Sequence, residues 1–153
     1  MRRPSFPCRP AWFARPAARL LFQYRITSAG FTVRAVRPPK YLRGGFALTV
    51  DIRHPDLPDQ RVTIAFGPGA PEIPRVYSDG PSQSPHRYSD GSLCMWHPAD
   101  PREQRWDRRD SPLVLMGLIL AHLMREEWWR RTGEWAGAEA EHAPIPARAT
   151  EAA

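Results

Sequence analysis

The sequence predicts an α+β domain: an N-terminal helix, an antiparallel β-meander of about four strands, a long loop and a buried C-terminal helix. Three observations carry that prediction. Apolar and polar residues alternate in short runs between Phe31 and Tyr77, as in strands with one buried face. The alternation stops between Ser78 and Arg109. A densely apolar segment with helical spacing then begins at Pro112.

The elements follow in order. Residues 1–10 hold three Pro and three Arg and read as a flexible basic lead-in. From Ala11 to Tyr24, the residues Trp12, Phe13, Leu20, Leu21 and Tyr24 recur among Ala and Arg, which suggests a helix that Pro16 starts or kinks. Phe31, Val33 and Ala35 alternate with Thr32 and Arg34. Gly45 opens the clearest strand, with Phe46, Leu48, Val50 and Ile52 facing one way and Ala47, Thr49, Asp51 and Arg53 the other. The cluster His54-Pro55-Asp56-Leu57-Pro58-Asp59 makes a turn, Val62, Ile64 and Phe66 repeat the alternation, and Gly67-Pro68-Gly69 ends it. A shorter strand is expected around Ile73 to Tyr77.

The last helix has clear punctuation. Asp110 or Ser111 can cap it, Pro112 suits its first position, and Gly133 should stop it. Val114, Leu115, Leu118 and Ile119 make its first turns apolar nearly all round, so burial against the sheet is expected. Trp106, Trp128, Trp129 and Trp135 read as core or edge packing. The domain is expected over residues 11–137, with a disordered tail over 138–153.

Composition narrows the function classes. With 42% hydrophobic and 25% charged residues the chain has ordinary globular usage. Its longest apolar run, Pro112 to Met124, is 13 residues, short of the roughly 20 that cross a bilayer. Residues 1–10 lack the apolar core of a secretory signal, so a cytoplasmic location is expected. The net charge of +6 is uneven: residues 1–50 carry ten basic and no acidic side chains, and residues 51–153 carry twelve basic and sixteen acidic ones. A front end of +10 is thus joined to a body of −4. Of the 22 basic residues 21 are Arg, and the skew, with abundant Ala and Pro, also fits a GC-rich coding sequence. A basic nucleic-acid-binding protein stays an alternative but is not the expected reading.

The loop holds the residues that could carry chemistry. A long irregular stretch in a small domain is usually functional or disordered, and aromatic residues and an interior Cys favour function. Its densest part runs from Pro85-His86-Arg87-Tyr88 through Ser89-Asp90-Gly91-Ser92 to Leu93-Cys94-Met95-Trp96-His97-Pro98. Asp90-Gly91 suits a tight turn that would present Cys94 just beyond it. A thiol flanked by His86 and His97 could act as a nucleophile through a thioester or another thiol adduct. The competing readings are a small buried hydrophobe, a disulfide to Cys8, and zinc bound by His86, Cys94 and His97 with Cys8 or His54. Zinc ligands normally come in close pairs, and only Cys94 and His97 form one, so neither metal nor cofactor is expected.

Here a resemblance becomes specific. Ala70-Pro71-Glu72-Ile73-Pro74-Arg75-Val76, the His86 segment leading to Gly91-Ser92-Leu93-Cys94, and Trp106 followed by Ser111-Pro112 together resemble the ubiquitin-conjugating (UBC-like) enzymes over residues 11–137. Leu93-Cys94 followed by an aromatic, with Thr132-Gly133-Glu134-Trp135-Ala136-Gly137 and Glu141-His142, is similar to the stand-alone conjugating-enzyme-like proteins of bacterial type II CBASS. These are anti-phage systems built around a cGAS-like nucleotidyltransferase.

The resemblance implies that Cys94 takes the C-terminus of a partner as a thioester and passes it to a nucleophile. The implied partner is a cGAS-like nucleotidyltransferase or a ubiquitin-like protein, with an activating enzyme as a further candidate. The Asn of the family's His-Pro-Asn segment is absent, since Arg87 and Tyr88 follow His86. The role of hydrogen-bond donor then falls to His86 or His97. It further implies that the first helix is a docking surface on which Arg15, Arg19 and Arg25 meet an acidic partner. A catalytically idle scaffold on the same fold is the alternative.

Overall fold

The computed structural model describes residues 9–137. Most of the lead-in, including Cys8, and the expected tail from residue 138 onward lie outside the described residues. The chain runs α1 (Pro16–Ser28), β1 (Val33–Val36), β2 (Phe46–Ile52), β3 (Gln60–Gly67), β4 (Ala70–Ser78) and α2 (Pro112–Thr132). The strands form one antiparallel sheet in the order β1-β2-β3-β4, so the expected α+β meander is present.

Register follows the hydrophobic alternation. Phe46 pairs with Phe66, Leu48 with Ile64 and Val50 with Val62, and Ile64 continues the row to Val76. A slip of one residue would turn this whole row to the other face, which is why the pairing is well specified. β4 is longer than its apolar core suggests and carries Pro71 and Pro74. Pro is tolerated there because β4 is an edge strand and need not donate on its outer side.

Of the expectations for the helices, the start at Pro16 is met and the burial of α2 is corrected. The N-terminal segment splits into a 3-10 turn, Trp12–Ala14, and a helix that starts only at Pro16 and continues to Ser28. The ring fixes the backbone for a first helical position and leaves Arg15 extended before it. Phe22 and Ile26 are the residues that α1 buries, while Leu20, Leu21 and Tyr24 are exposed. The correction concerns α2, which is not buried all round: Leu113 and Val114 are 42% and 47% exposed. Its buried stripe is Leu115, Met116, Ile119, His122, Leu123 and Glu126, one face at helical period. Trp128 is exposed, which leaves edge packing of the two roles expected for it.

The two stripes and the inner face of the sheet make a single core. Ile26 of α1, Leu115, Ile119 and Leu123 of α2, and Leu48, Val50, Val62, Ile64, Phe66 and Val76 of the sheet are all buried in it. Each such side chain contributes roughly 1.5–3 kcal/mol by leaving water. One end is aromatic: Trp12 meets Phe22, Phe46 and Phe66, and its indole N–H donates to the Pro71 carbonyl at 2.6 Å. Trp106 closes that end, edge-on to Phe22, with its N–H donating to the Ser111 carbonyl. The Ser111 hydroxyl accepts from the Leu113 N–H and caps α2.

Candidate active site

The stretch expected to be irregular contains a small hairpin that carries the cysteine. Arg87 and Leu93 form an antiparallel bridge. The Tyr88 N–H donates to the Ser92 carbonyl at 2.9 Å and the Cys94 N–H to the His86 carbonyl at 3.0 Å. The turn between them closes with the Gly91 N–H on the Tyr88 carbonyl, and Gly91 takes φ +84°, which favours glycine. Sequence reasoning placed the turn at Asp90-Gly91, where the structure has it. The hairpin also lies against β4, through the Leu93 N–H on the Val76 carbonyl at 2.8 Å.

Asp90 fastens the turn from above. One carboxylate oxygen accepts from both the N–H and the hydroxyl of Ser92, at 2.9 and 2.6 Å. The other accepts from Arg75 at 2.9 Å and from the Tyr77 hydroxyl at 3.2 Å. The Tyr41 hydroxyl donates in turn to that of Tyr77. Partial burial disfavours the charged form of Asp90, but the Ser92 bonds, Tyr77 and Arg75 outweigh it and hold the carboxyl below its usual range.

Beneath the hairpin is a buried ionic cluster. The Arg87 guanidinium forks onto Glu126 of α2, Nε to Oε1 at 2.9 Å and Nη2 to Oε2 at 2.8 Å. The Glu126 side chain is fully buried, and that of Arg87 is 9% exposed. His122, one turn earlier on α2, sits 3.2 Å from Glu126 Oε1, and Arg130 reaches within 3.7 Å of Oε2. Burial by itself would raise the Glu126 pKa, yet the bonds from Arg87, His122 and Ser84 prevail and hold it down to about 2. After Gly133 ends α2 in a left-handed conformation, Trp135 folds back onto the His86 ring at 4.1 Å and the His122 ring at 5.5 Å.

The sequence-predicted residues therefore separate. Cys94 is a half-buried free thiol at the end of the hairpin. The His86 ring is buried beneath Trp135, and its carbonyl holds the Cys94 backbone. His97 is exposed in a turn of its own, where its Nδ1 accepts from the Ala99 N–H and its own N–H donates to Asp100. Arg15, Arg19 and Arg25 are all exposed on or beside α1, away from the hairpin in the chain. Among the described residues, no three or more His, Cys, Asp or Glu side chains gather as a metal would require.

Sequence reasoning missed three residues around the thiol. Arg87 and Glu126 brace the hairpin, and Tyr88 is a phenol on which the Cys94 side chain helps to hold the proton. Glu126 was legible in principle: it continues the stripe Leu115, Ile119, His122 at helical spacing, which places a charge on the buried face. Beside the thiol, Ile73, Arg75, Tyr88, Asp90, Met95 and Trp96 line a groove of about 410 Å³.

A family model for type II CBASS E2 proteins matches residues 17–143, a span that contains the whole sheet, the hairpin and α2. No curated protein and no solved structure matches the chain.

Proposed function

The chain belongs to the type II CBASS E2 family, and on that premise we propose that Cys94 is the acyl-carrying nucleophile of a conjugating enzyme. The family places it in anti-phage defence in an E2-like role. The observation that carries the chemical reading is the position of Cys94: a free, half-exposed thiol on a hairpin fixed from two sides and flanked by a groove. Fixing the attacking atom in place lowers the entropic cost of reaching the reactive geometry.

The reaction has two steps. The Cys94 thiolate attacks a protein C-terminus already activated as a thioester on another enzyme. A new C–S bond forms, and the donor sulfur leaves as a thiolate. An amine then attacks the Cys94 thioester, the C–N bond forms, the C–S electron pair returns to the Cys94 sulfur, and the amine proton passes to water. His86 serves through its carbonyl, which holds the Cys94 N–H, and His97 through the turn that follows the thiol. The proposed acyl group is the C-terminus of a cGAS-like nucleotidyltransferase or of a ubiquitin-like protein.

Delivery needs a docking surface, and the outer face of α1 suits one. Leu20, Leu21 and Tyr24 are 66%, 52% and 68% exposed, next to Arg15, Arg19 and Arg25. Apolar residues ringed by one sign of charge suit a partner with an acidic rim.

The test is a conjugation assay with the nucleotidyltransferase encoded beside this protein, together with any activating enzyme encoded there. A covalent adduct that reducing agent cleaves, and that Cys94→Ala abolishes, is the expected result. An adduct of equal yield with Cys94→Ala sinks the proposal.

A further inference from the structure

We propose that Tyr88 is a catalytic residue, its hydroxyl donating to the negative charge that moves from the thioester carbonyl oxygen to the Cys94 sulfur during aminolysis. The inference rests on Cys94 being the acyl carrier, and it concerns a residue that sequence reasoning passed over.

Hairpin register places the two side chains together. His86 pairs with Cys94 and Tyr88 with Ser92 across the strands, while Arg87 and Leu93 form the bridge between those pairs. Side chains alternate along each strand, so Tyr88 and Cys94 project on the same side as diagonal neighbours, within reach of a long aromatic side chain. The Cys94 side chain is accordingly one of the neighbours that hold the proton on the Tyr88 phenol. Tyr88 also lines the groove that Leu93 and Met95, the chain neighbours of Cys94, help to bound.

The two histidines are engaged otherwise. The His86 ring packs against Trp135, and His97 accepts a bond within its own turn. The phenol is also the right acid for the task. Burial first, then the neighbouring Cys94, pushes the Tyr88 pKa up to about 12, so it keeps its proton at neutral pH. It donates a hydrogen bond without surrendering the proton.

The chemistry needs such a donor at that point. When an amine attacks the thioester, the carbonyl π pair moves onto oxygen, one bond away from the carbon that carries sulfur. As the intermediate collapses, that pair re-forms the carbonyl and the C–S pair leaves on sulfur. A hydroxyl that donates to the sulfur can follow the charge through both stages, and the bond strengthens as charge develops. The turn that presents Tyr88 is held by Asp90 through Ser92 and Arg75, so the donor is fixed before the reaction begins.

The test uses the full chain with Cys8→Ser, so that every adduct reports Cys94. A glycine-terminated peptide carrying a 2-mercaptoethanesulfonate thioester loads the thiol, free lysine then discharges it, and intact mass follows both steps. Tyr88→Phe keeps the ring of a residue that is 47% exposed, and its unfolding midpoint should match that of the parent. We expect Tyr88→Phe to load, and its lysine-dependent discharge to fall about 100-fold, the loss typical of deleting one oxyanion donor. Loading followed by equal discharge in both proteins overturns the role of Tyr88 alone. If the parent does not load at all, the acyl-carrier reading fails, and the role of Tyr88 with it.

Discussion

Arg87 and Glu126 are 39 positions apart in sequence and meet as a two-pronged ion pair, with contacts of 2.9 and 2.8 Å. One belongs to the hairpin that carries Cys94 and the other to the buried face of α2. A buried pair of this kind adds little net stability over a well-packed apolar one, but removing a single partner leaves a charge stranded. Its value here is positional, because it fixes the hairpin to α2, the longer of the two helices.

Glu126→Ala should cost about 3–5 kcal/mol, since it strands the Arg87 guanidinium and leaves His122 without its partner. Urea unfolding measures it, and a loss below about 1 kcal/mol would show the pair behaves as a surface ion pair. The pH dependence has a definite sign. The Glu126 pKa is lowered from 4.5 to about 2 in the folded state. Its contribution is therefore complete above the unfolded value and is lost as pH falls from 4.5 toward 2. Wild-type stability should drop across that window more steeply than that of Glu126→Ala.

Trp135 holds the hairpin from its other side. Trp135→Ala removes the ring contacts with His86 and His122, each worth roughly 0.5–1.5 kcal/mol beyond the area it buries. Because the His86 carbonyl holds the Cys94 N–H, amide hydrogen exchange across residues 86–94 should accelerate while β2 and β3 keep their protection. Unchanged exchange in the hairpin would mean that Trp135 covers His86 without bracing it.

Gly45 opens β2 where two backbones come close. A Cβ there would stand 2.0 Å from the Phe66 carbonyl oxygen and 2.8 Å from that of Leu42. Neither can yield as a side chain tip would, so Gly45→Ala should cost about 3 kcal/mol or more. Gly69, with nothing within 4 Å and no positive φ, is the control, and Gly69→Ala should stay within about 0.5 kcal/mol. Equal thermal shifts for the two variants would refute the steric argument.

The charge on α1 should matter for the partner and not for the fold. Arg15, Arg19 and Arg25 are exposed, so changing all three to Glu should leave the unfolding midpoint close to that of the parent. Conjugation should slow by about 10-fold at low salt, and the gap should narrow as salt screens the surface. Equal rates at every ionic strength would place the docking surface elsewhere.

The sequence by itself determined the elements and their order. Alternation in Phe46 to Ile52 and Val62 to Phe66 dictates strands with one buried face, Ser111-Pro112 and Gly133 bound α2, and Asp90-Gly91 marks the turn before Cys94. These signals are local, because backbone preference and side-chain period act over a few residues. Which faces stay open was decided only on folding. Leu20, Leu21 and Tyr24 are as apolar as Phe22 and Ile26, yet no described element covers them. The surroundings of Cys94 are tertiary in the same sense. Of the residues near it in sequence, His86 packs against Trp135 and His97 bonds within its own turn, while Arg87 finds Glu126 and Trp135 returns from the far end of α2. Contacts between distant segments depend on where the core places them, and no local pattern of charge or spacing records that.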